Sequence, residues 1–504
     1  MGSNPLKCSR QYQFMFFIDN ILLLTLLFPL IGIFILLFVP AREEKLIKII
    51  AFNSACFSFI SSLLVWGSFQ KSTGYFQFVA KYYWFLDLNL NFTMGIDGIS
   101  LFFLLLSTML IPLCILISWN SVGYNVKEFF IAFLLLDFLL IGTFCVLDLL
   151  FFYIFFESVL IPMYLMVGIW GSRDRKILAA YYFFLYTLLG SVLMLLSILY
   201  IQFHVGTLDY ETLLTFSFSE LEQKFLWFTF FLAFASKVPM MPVHLWLPEA
   251  HVEAPTAGSV ILAGVLLKLG TYGFIRFSLP LFPKASFFFT PLVYTVAVVG
   301  IIYASFTAIR QTDFKRIIAY TSIAHMNLVI LGIFSFNSIG IEGAILQSLS
   351  HGFVASALFL VIGVVYDRYR TRLVQYYGGL TTVMPLYIAT FLFFTMANIA
   401  FPGTSSFVGE FLILAGSFQV NTTVTFLGAT GVIISGAYSL WLFNRIAYGN
   451  LKTQYTTKFI DLSPREFVLF VPLVLGTLAV GIYPNIFLSS IHMSVNFLIE
   501  LLYF

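Results

Sequence analysis

Apolar residues recur in runs of about twenty along most of the 504-residue chain, and short stretches with charged residues, Gly, Pro or Asn separate the runs. A helix needs a run of about this length to cross the hydrocarbon core of a bilayer. The pattern therefore predicts an all-α, polytopic membrane protein with about 14 transmembrane helices. The predicted spans are 20–38, 46–69, 97–119, 128–147, 149–170, 176–203, 223–249, 256–279, 290–309, 315–334, 339–366, 383–415, 423–448 and 464–490.

Prolines interrupt two of these spans. Pro239 and Pro242 lie inside the seventh, and Pro402-Gly403 lies in the middle of the twelfth. Each proline removes a backbone donor and obstructs the carbonyl about four residues earlier, so both helices are expected to break. Membranes tolerate broken helices where the freed backbone is buried in protein or lines a polar cavity.

The two breaks lie five spans apart, which suggests an internal repeat. Five is odd, so spans 4–8 and 9–13 are expected to form two five-helix repeats of inverted orientation, a plan that places the site at the broken helices. The chain then divides into an N-terminal tail with helices 1–3, two repeats, and helix 14 with a C-terminal tail. The corresponding ranges are 1–127, 128–279, 290–448 and 464–504.

Two longer connections, 70–96 and 204–222, separate spans in the first half. Within the first, residues 75–92 alternate aromatic and polar side chains, which predicts a short interfacial β-hairpin. Both connections are expected to form surface structure on the face that carries the termini.

Composition agrees with a membrane protein, since 60% of residues are hydrophobic and 10% charged, against about 25% charged in an average soluble domain. Loops after odd-numbered spans carry 17 Lys and Arg, whereas the N-terminus and even-numbered loops carry 7. The positive-inside rule places the odd loops in the cytoplasm or mitochondrial matrix, and both termini opposite. No basic run suits nucleic acid. The four cysteines show no CxxC spacing and are expected to be packing residues.

Lys237 and Lys268 lie inside apolar spans, where a charge is costly. At a bilayer centre a lysine costs roughly 2.5–3.5 kcal/mol on insertion scales, so such residues usually mark an ion or proton route. The alternative is a lysine that extends its amine to the interface. Lys268 has about ten apolar or small residues on each side, so the functional interpretation is favoured for it.

Three acids lie in or beside the fourth and fifth spans. Glu157 is surrounded by apolar residues and is expected to be an ion partner of Lys237. Asp148 precedes it by nine residues, which turns an ideal helix by about 900° and places the two acids on opposite faces, so that Glu157 alone is expected to be deeply embedded. Asp137 is a second candidate partner, and a hydrogen bond to a neighbouring Ser or Tyr is the structural alternative for Glu157.

Two histidines and one further acid follow on the inner spans. His325 and His351 lie on successive apolar spans, and Glu410 lies beyond the second helix break. Imidazole titrates near neutral pH and exchanges protons at both nitrogens, so the pair suggests a relay. Small residues beside His351 are expected to leave room for water; they are Ser350, Gly352 and Ser356. The candidate series is Glu157, Lys237, Lys268, His325, His351 and Glu410.

A metal centre and a redox centre are both disfavoured. His244, Glu249, His251 and Glu253 lie close together in sequence, but their spacing across two prolines matches no common metal site. The chain has no dinucleotide-binding fingerprint, cysteine cluster or paired haem-ligand pattern. We expect no cofactor and no metal in this chain.

Long sequence motifs resemble the antiporter-like proton-pumping subunits of respiratory complex I. The longest, at 237–277, is KVPMMPVHLWLPEAHVEAPTAGSVILAGVLLKLGTYGFIRF. Others extend the resemblance over most of the chain: GIDGISLFF, FFESVLIPM, IAYTSIAHMNLV, SHGFVASALF, YYGGL and FPGTSSFVGEFLIL. The first 15 residues match no motif of the family.

The resemblance implies a fourteen-helix subunit of the membrane arm in the mitochondrial inner membrane, with both termini in the intermembrane space. Its expected partners are neighbouring antiporter-like subunits, accessory subunits and membrane lipids. NADH, FMN, iron–sulfur clusters and ubiquinone would reside in other subunits. The family's essential charged positions fall on Glu157, Lys237, Lys268 and Glu410. Sister subunits carry lysine at the last position, so Glu410 favours one particular member of the family.

The resemblance also suggests a mechanism, in which charge movement at Glu157 or in a neighbouring subunit drives a proton from Lys237 through Lys268, His325 and His351 to Glu410. Two alternatives remain open. One is a subunit of a multisubunit Na⁺/H⁺ antiporter, which shares the signature at 237–277. The other is a structural scaffold in which the buried charges form static ion pairs.

Overall fold

The computed structural model describes residues 20–85, 89–455 and 459–503. Within them the chain is almost entirely helical. The first-half helices are α1 (Ile21–Phe38), α2 (Glu44–Ser68), α3 (Gly98–Ser118), α4 (Val126–Cys145), α5 (Leu149–Ser158), α6 (Leu160–Trp170), α7 (Lys176–Val205), α8 (Tyr210–Thr215), α9 (Glu220–Lys237), α10 (Trp246–Glu253), α11 (Thr256–Ile261), α12 (Leu267–Gly273) and α13 (Leu279–Leu281). The second-half helices are α14 (Pro283–Arg310), α15 (Phe314–Ile333), α16 (Ser338–Tyr369), α17 (Pro385–Asn398), α18 (Ser405–Val420), α19 (Thr422–Ala447), α20 (Pro464–Ile482) and α21 (Asn485–Tyr503).

Each of the fourteen predicted spans coincides with one helix or with consecutive shorter helices. Thirteen helical segments of the described chain are long and apolar enough to cross a membrane. Twelve of them correspond to predicted spans, and the thirteenth is α21. The two remaining predicted spans, seven and twelve, are broken into shorter helices, so all fourteen are accounted for. The predicted all-α polytopic fold is confirmed, while the inverted repeat stays a prediction.

The C-terminal part of the chain differs from the prediction, because it contains a further helix, α21. The fourteenth span was expected to run to residue 490 and to be followed by a tail, but α20 ends at Ile482. Pro484 explains the break, because a proline disfavours the helical conformation for the residue before it. α21 packs against connections and helix ends on one side of the bundle: its Ser489 accepts a hydrogen bond from Lys71, and its Tyr503 donates one to the Phe336 carbonyl. Its Ser494 accepts a hydrogen bond from the Gly98 N–H at the start of α3. α21 therefore lies along the even-loop face instead of crossing the bundle.

The predicted hairpin is present on the same face. Strand β1 (Gln77–Phe85) pairs antiparallel with β2 (Leu90–Ile96), and Tyr82 lies opposite Phe92. Leu147, in the connection between α4 and α5, donates its backbone N–H to Thr93 of β2. The hairpin is thus attached to the helix bundle. The other long connection contains the short helix α8, which agrees with the predicted surface structure.

Both predicted breaks are confirmed. Between α9 and α10 the chain leaves the helix from Val238 to Leu245, and between α17 and α18 it does so from Ile399 to Thr404. Gly403 has a φ of +92°, a backbone conformation that side-chain-bearing residues rarely adopt. A proline also accounts for a break that was not predicted, at Val159 between α5 and α6. Pro162 cannot donate to the carbonyl of Ser158, four residues earlier.

The eighth span is not a regular α-helix. Two π-helical segments, Leu262–Leu266 and Phe274–Ser278, flank the α-helical turn that carries Lys268. Such segments shift the hydrogen-bond ladder by one residue and often occur at functional sites. The most apolar 18-residue stretches of this span and of α16 are entirely buried. These two elements form the centre of the bundle, and they carry Lys268 and His351.

Candidate proton-transfer site

Lys268 and His351 are in direct contact at the centre of the bundle. The Nζ of Lys268 lies 2.7 Å from Nδ1 of His351 and donates to the carbonyl of Ala263 at 2.5 Å. Ala263 belongs to the π-helical segment Leu262–Leu266, which directly precedes the α-helical turn that carries Lys268. Lys268 is completely buried, so a proton can leave its amine only toward polar groups inside the protein.

Glu410 is held by two side chains from neighbouring helices. Its Oε1 lies 3.0 Å from Nδ1 of His325 and accepts a hydrogen bond of 3.0 Å from Nε2 of Gln347. All three residues are buried. This arrangement joins α15, α16 and α18 at the second helix break. It gives a carboxyl group that is pre-positioned to exchange a proton with an imidazole.

The structure corrects the order of the two histidines. The proposed route ran from Lys268 to His325, then to His351 and Glu410. His351 instead contacts Lys268, and His325 contacts Glu410; the two imidazole rings lie 6.1 Å apart. The order in space is Lys268, His351, His325, Glu410. Sequence order could not reveal this, because the order of the contacts depends on how α15 and α16 pack against the helices that carry Lys268 and Glu410.

Lys237 and Glu157 form a separate pair without direct contact. No ion pair within 4.0 Å joins them, so the expected ion partnership of Glu157 with Lys237 is not a direct contact. The Nζ of Lys237 lies 4.6 Å from the centre of the Phe156 ring and has no hydrogen-bond partner. Both carboxylate oxygens of Glu157 are also buried and make no hydrogen bond of ordinary geometry, although Ser191 of α7 is close enough to interact with the carboxylate. The pair nevertheless interacts electrostatically across the gap.

The other two acids are bound locally. Asp148 caps α5 by accepting hydrogen bonds from the backbone of Leu150 and Phe151. It is only 1% exposed, which contradicts the expectation that Glu157 alone would be embedded. Burial raises the pKa of Asp148 to about 7, although the two backbone N–H groups oppose this effect. Asp137 accepts a hydrogen bond of 2.8 Å from Ser58 of α2, so it does not partner Glu157 or Lys237.

Two of the small residues beside His351 are in close contact with neighbouring helices. The Ser350 hydroxyl bonds to the hydroxyls of Ser405 and Ser406 at 2.7 and 2.8 Å. A side chain at Gly352 would collide with Leu106. These two positions pack α16 tightly against α18 and α3. The expected water site beside His351 stays a prediction.

The four clustered residues of the broken seventh helix are dispersed. Glu249 pairs with Arg316 at 2.6 Å, and Glu253 lies 3.9 Å from the buried Arg372. The His251 ring stacks on Phe359, with ring centres 4.6 Å apart. Among the described residues, no three His, Cys, Asp or Glu side chains converge as metal ligands would.

Sequence reasoning missed two buried polar groups. Gln347 lies four residues before His351, hence on the same helix face, and that spacing could have identified it. Arg276 was counted with the even loops, but it is buried and ion-paired with Asp97, the N-cap residue of α3. The gap of 179 residues between these partners left no signal in the sequence.

Comparison with known proteins finds relatives that are similar to this chain over almost its whole length. A family model described as NADH:quinone oxidoreductase/Mrp antiporter, TM, matches residues 146–435. NADH-ubiquinone oxidoreductase chain 4 of Chondrus crispus is 59% identical over 96% of this chain and 98% of its own length. The corresponding protein of Arabidopsis thaliana is 57% identical over 94% and 96%.

A solved structure extends the similarity to the fold. A chain in the structure of respiratory complex I from Thermus thermophilus with bound NADH superposes with a TM-score of 0.86 and 29% sequence identity. The match covers 96% of this chain and 99% of the other. By its sequence and its fold, the chain belongs to the NADH-ubiquinone oxidoreductase chain 4 family.

Proposed function

We propose that the chain is a membrane-arm subunit of NADH:ubiquinone oxidoreductase that translocates protons across the mitochondrial inner membrane. Electron transfer from NADH to ubiquinone takes place in other subunits, and this chain carries no redox chemistry. Its partners are the neighbouring antiporter-like subunits, accessory subunits and lipids. The observation that carries the proposal is the buried series of contacts from Lys268 through His351 and His325 to Glu410.

The series suits proton transfer because each member can bind or release a proton. Lys268 passes a proton to Nδ1 of His351 at hydrogen-bond distance, and Glu410 exchanges one with Nδ1 of His325. The intervening step between the imidazoles crosses ring centres 6.1 Å apart. Such a gap is bridged by a reorientation of a ring or by a water molecule.

Glu157 and Lys237 act as the control element of this mechanism. They stand apart at the first helix break, with Lys237 held over the Phe156 ring. A movement that brings the carboxylate to the amine would favour the charged amine, and their separation would disfavour it. The adjacent breaks at Val159 and at Val238–Leu245 permit such movement. Repulsion between Lys237 and a protonated Lys268 would then push the proton toward His351.

The central experiment replaces Lys237 with Ala and with Met, in assembled complex within sealed membranes. The measurement is the number of protons moved per NADH oxidised, together with the rate of coupled oxidation. We expect the rate to fall about a hundredfold, the lower end of the range for loss of an acid–base group. Lys224→Ala is the matched control, because Lys224 lies on the same helix and also contacts an aromatic ring, Phe288, at 4.2 Å. Full pumping in both Lys237 variants would refute the proposal.

The two alternatives make different predictions for the same membranes. A Na⁺/H⁺ antiporter subunit would show sodium-dependent proton movement without NADH. Its support is the family model, which covers both kinds of protein. A structural scaffold would lose assembly in the Lys237 variants but keep the proton-to-NADH ratio of the complexes that do assemble.

A further inference from the structure

A small cavity lies beside Glu410. Glu410, His325 and Tyr438 line it together with Ser435 and with apolar groups of α14, α15 and α19. The Ser435 hydroxyl already donates to the carbonyl of Val432. It offers about 10 Å³ to a water-sized sphere, which is close to the minimum that one water molecule needs. The exposed fractions of Glu410, His325 and Tyr438 are 3%, 6% and 2%, so bulk water does not reach them.

Each of the three side chains has one polar atom without a partner. They are Oε2 of Glu410, Nε2 of His325 and the hydroxyl of Tyr438. The other carboxylate oxygen is already engaged by Gln347 and by Nδ1 of His325. Buried polar groups are nearly always hydrogen-bonded, directly or through ordered water. Three unpartnered atoms around one cavity of this size match the three hydrogen bonds that a buried water typically makes.

The hydrogen-bond roles of these atoms are mutually consistent. If Nδ1 of a neutral His325 donates to the Glu410 carboxylate, Nε2 is an acceptor. A water molecule could then donate to Nε2 and to Oε2 while it accepts a hydrogen bond from the Tyr438 hydroxyl. Every polar atom of the cavity would thereby be satisfied.

We propose that Tyr438 holds one water molecule that links Glu410 to His325, and that Tyr438 is thereby a positioning residue for the last step of the proton route. This inference rests on the proposed function and deepens it at the same site. The water and the direct Nδ1 to Oε1 contact form a closed circuit around the carboxyl and imidazole groups. Tyr438 fixes the water within that circuit and does not itself lose its proton.

The circuit resets His325 after each transfer. His325 first takes up the arriving proton at Nε2 and becomes an imidazolium. Transfer of its Nδ1 proton to Oε1 then leaves a neutral ring that is protonated at Nε2. In the reset, Nε2 gives its proton to the water, the water gives one to Oε2, and Oε1 returns one to Nδ1. The water is regenerated, and the carboxyl proton has moved from Oε1 to Oε2. The imidazole recovers its first tautomer without a rotation of the ring.

The first test is a density map of the intact, unmodified complex at a resolution that shows ordered water. We expect one water peak within about 2.6–3.2 Å of the Tyr438 hydroxyl, Oε2 of Glu410 and Nε2 of His325. A map that resolves neighbouring waters and shows no peak there would overturn the inference. This readout does not depend on pumping or on the stability of any variant.

The second test compares Tyr438→Phe with Tyr387→Phe. Both tyrosines are fully buried and each has an unpartnered hydroxyl, but Tyr387 lies outside the cavity. Tyr438→Phe removes the neutral hydrogen bond that holds the water, so the coupled rate is expected to fall about five- to tenfold in this variant. It should stay within twofold of the unmodified rate in Tyr387→Phe. Equal effects in both variants would contradict the inference.

An infrared measurement separates positioning from a merely structural role. The carboxyl band of Glu410 is identified by its loss in Glu410→Gln. It should shift in Tyr438→Phe and stay unchanged in Tyr387→Phe; an unshifted band in Tyr438→Phe would overturn the inference. If the water peak and the shifted band are found while Lys237→Ala and Lys237→Met pump normally, the translocation proposal fails and the water site stands.

Discussion

The pKa of Asp148 is set mainly by the burial of its carboxyl group. One of its carboxylate oxygens caps α5 and the other has no partner. Burial raises its pKa from 3.8 to about 7. The folded protein therefore binds the proton more tightly than the unfolded chain does. Between about pH 4 and pH 7 the stability contribution of Asp148 must decrease as pH rises, because the unfolded chain ionises first.

Asp148→Asn should remove this dependence, since Asn is an equally good N-cap and carries no charge. We expect the variant to be more stable than the unmodified protein at pH 8, by about 4 kcal/mol at the limit set by the pKa difference. The advantage should shrink as pH falls toward 5. Thermal inactivation of the assembled complex, followed at several pH values, provides the measurement. A stability difference that is the same at all pH values would contradict this account.

At the residue scale, the sequence was sufficient to select the charged groups of the site but insufficient to pair them. Lys268, His351, His325 and Glu410 could be found because a titratable group in an apolar span is costly. Their contacts depend on which helices are neighbours, and a single sequence carries no record of that. The buried pair Arg276–Asp97 was missed for the same reason.

At the element scale, local chemistry determined what could be predicted. Pro239, Pro242 and Pro402 predicted both breaks correctly, because a proline disrupts a helix wherever it lies in the chain. The π-helical segments around Lys268 have no comparable signature. They arise where side-chain packing shifts the hydrogen-bond ladder, so they depend on the whole bundle.

The attachment of α21 to α3 depends on the absence of one side chain. A Cβ at Gly98 would collide with the backbone carbonyl of Ser490, and the Gly98 N–H donates a hydrogen bond to the Ser494 hydroxyl of α21. We expect Gly98→Ala to displace α21 and to cost about 1–3 kcal/mol, as overpacked positions do. Faster proteolysis near residue 484 in detergent-solubilised complex would report the displacement.

Gly67→Ala is the matched control for this prediction. Gly67 lies in α2, and a Cβ added there would meet no atom within 4 Å. Alanine favours a helix over glycine by up to about 1 kcal/mol, so this variant should be as stable as the unmodified protein or slightly more so. If Gly98→Ala and Gly67→Ala are cleaved at the same rate, α21 is not held by close packing at Gly98.

At the scale of the whole molecule, the titratable groups form two units that correspond to the two broken helices. Glu157 and Lys237 lie at the first break, and the contact series from Lys268 to Glu410 ends at the second. The most buried spans, the eighth and the eleventh, lie between the two breaks. The outer helices expose most of their apolar residues, as lipid-facing or subunit-facing helices must. The predicted inverted repeat is compatible with this layout, in which each half supplies one broken helix.

The distribution of Lys and Arg between the loops predicts how the whole molecule is oriented in the membrane. Seventeen Lys and Arg were assigned to the odd loops and seven to the opposite side. The hairpin and α21 both lie on the even-loop face. The positive-inside rule then places the hairpin, α21 and residue 20 on the intermembrane-space side.

Single cysteines on exposed positions can test this orientation in mitoplasts, with native cysteines replaced. Ser72→Cys and Thr212→Cys lie on the even-loop face, and Ser121→Cys and Asn450→Cys lie on the odd-loop face. A membrane-impermeant maleimide should label the first two in intact mitoplasts and the last two only after permeabilisation. The two pairs serve as controls for each other, since all four positions are solvent-exposed in the folded chain. The opposite labelling pattern would show that the charge bias does not set the topology.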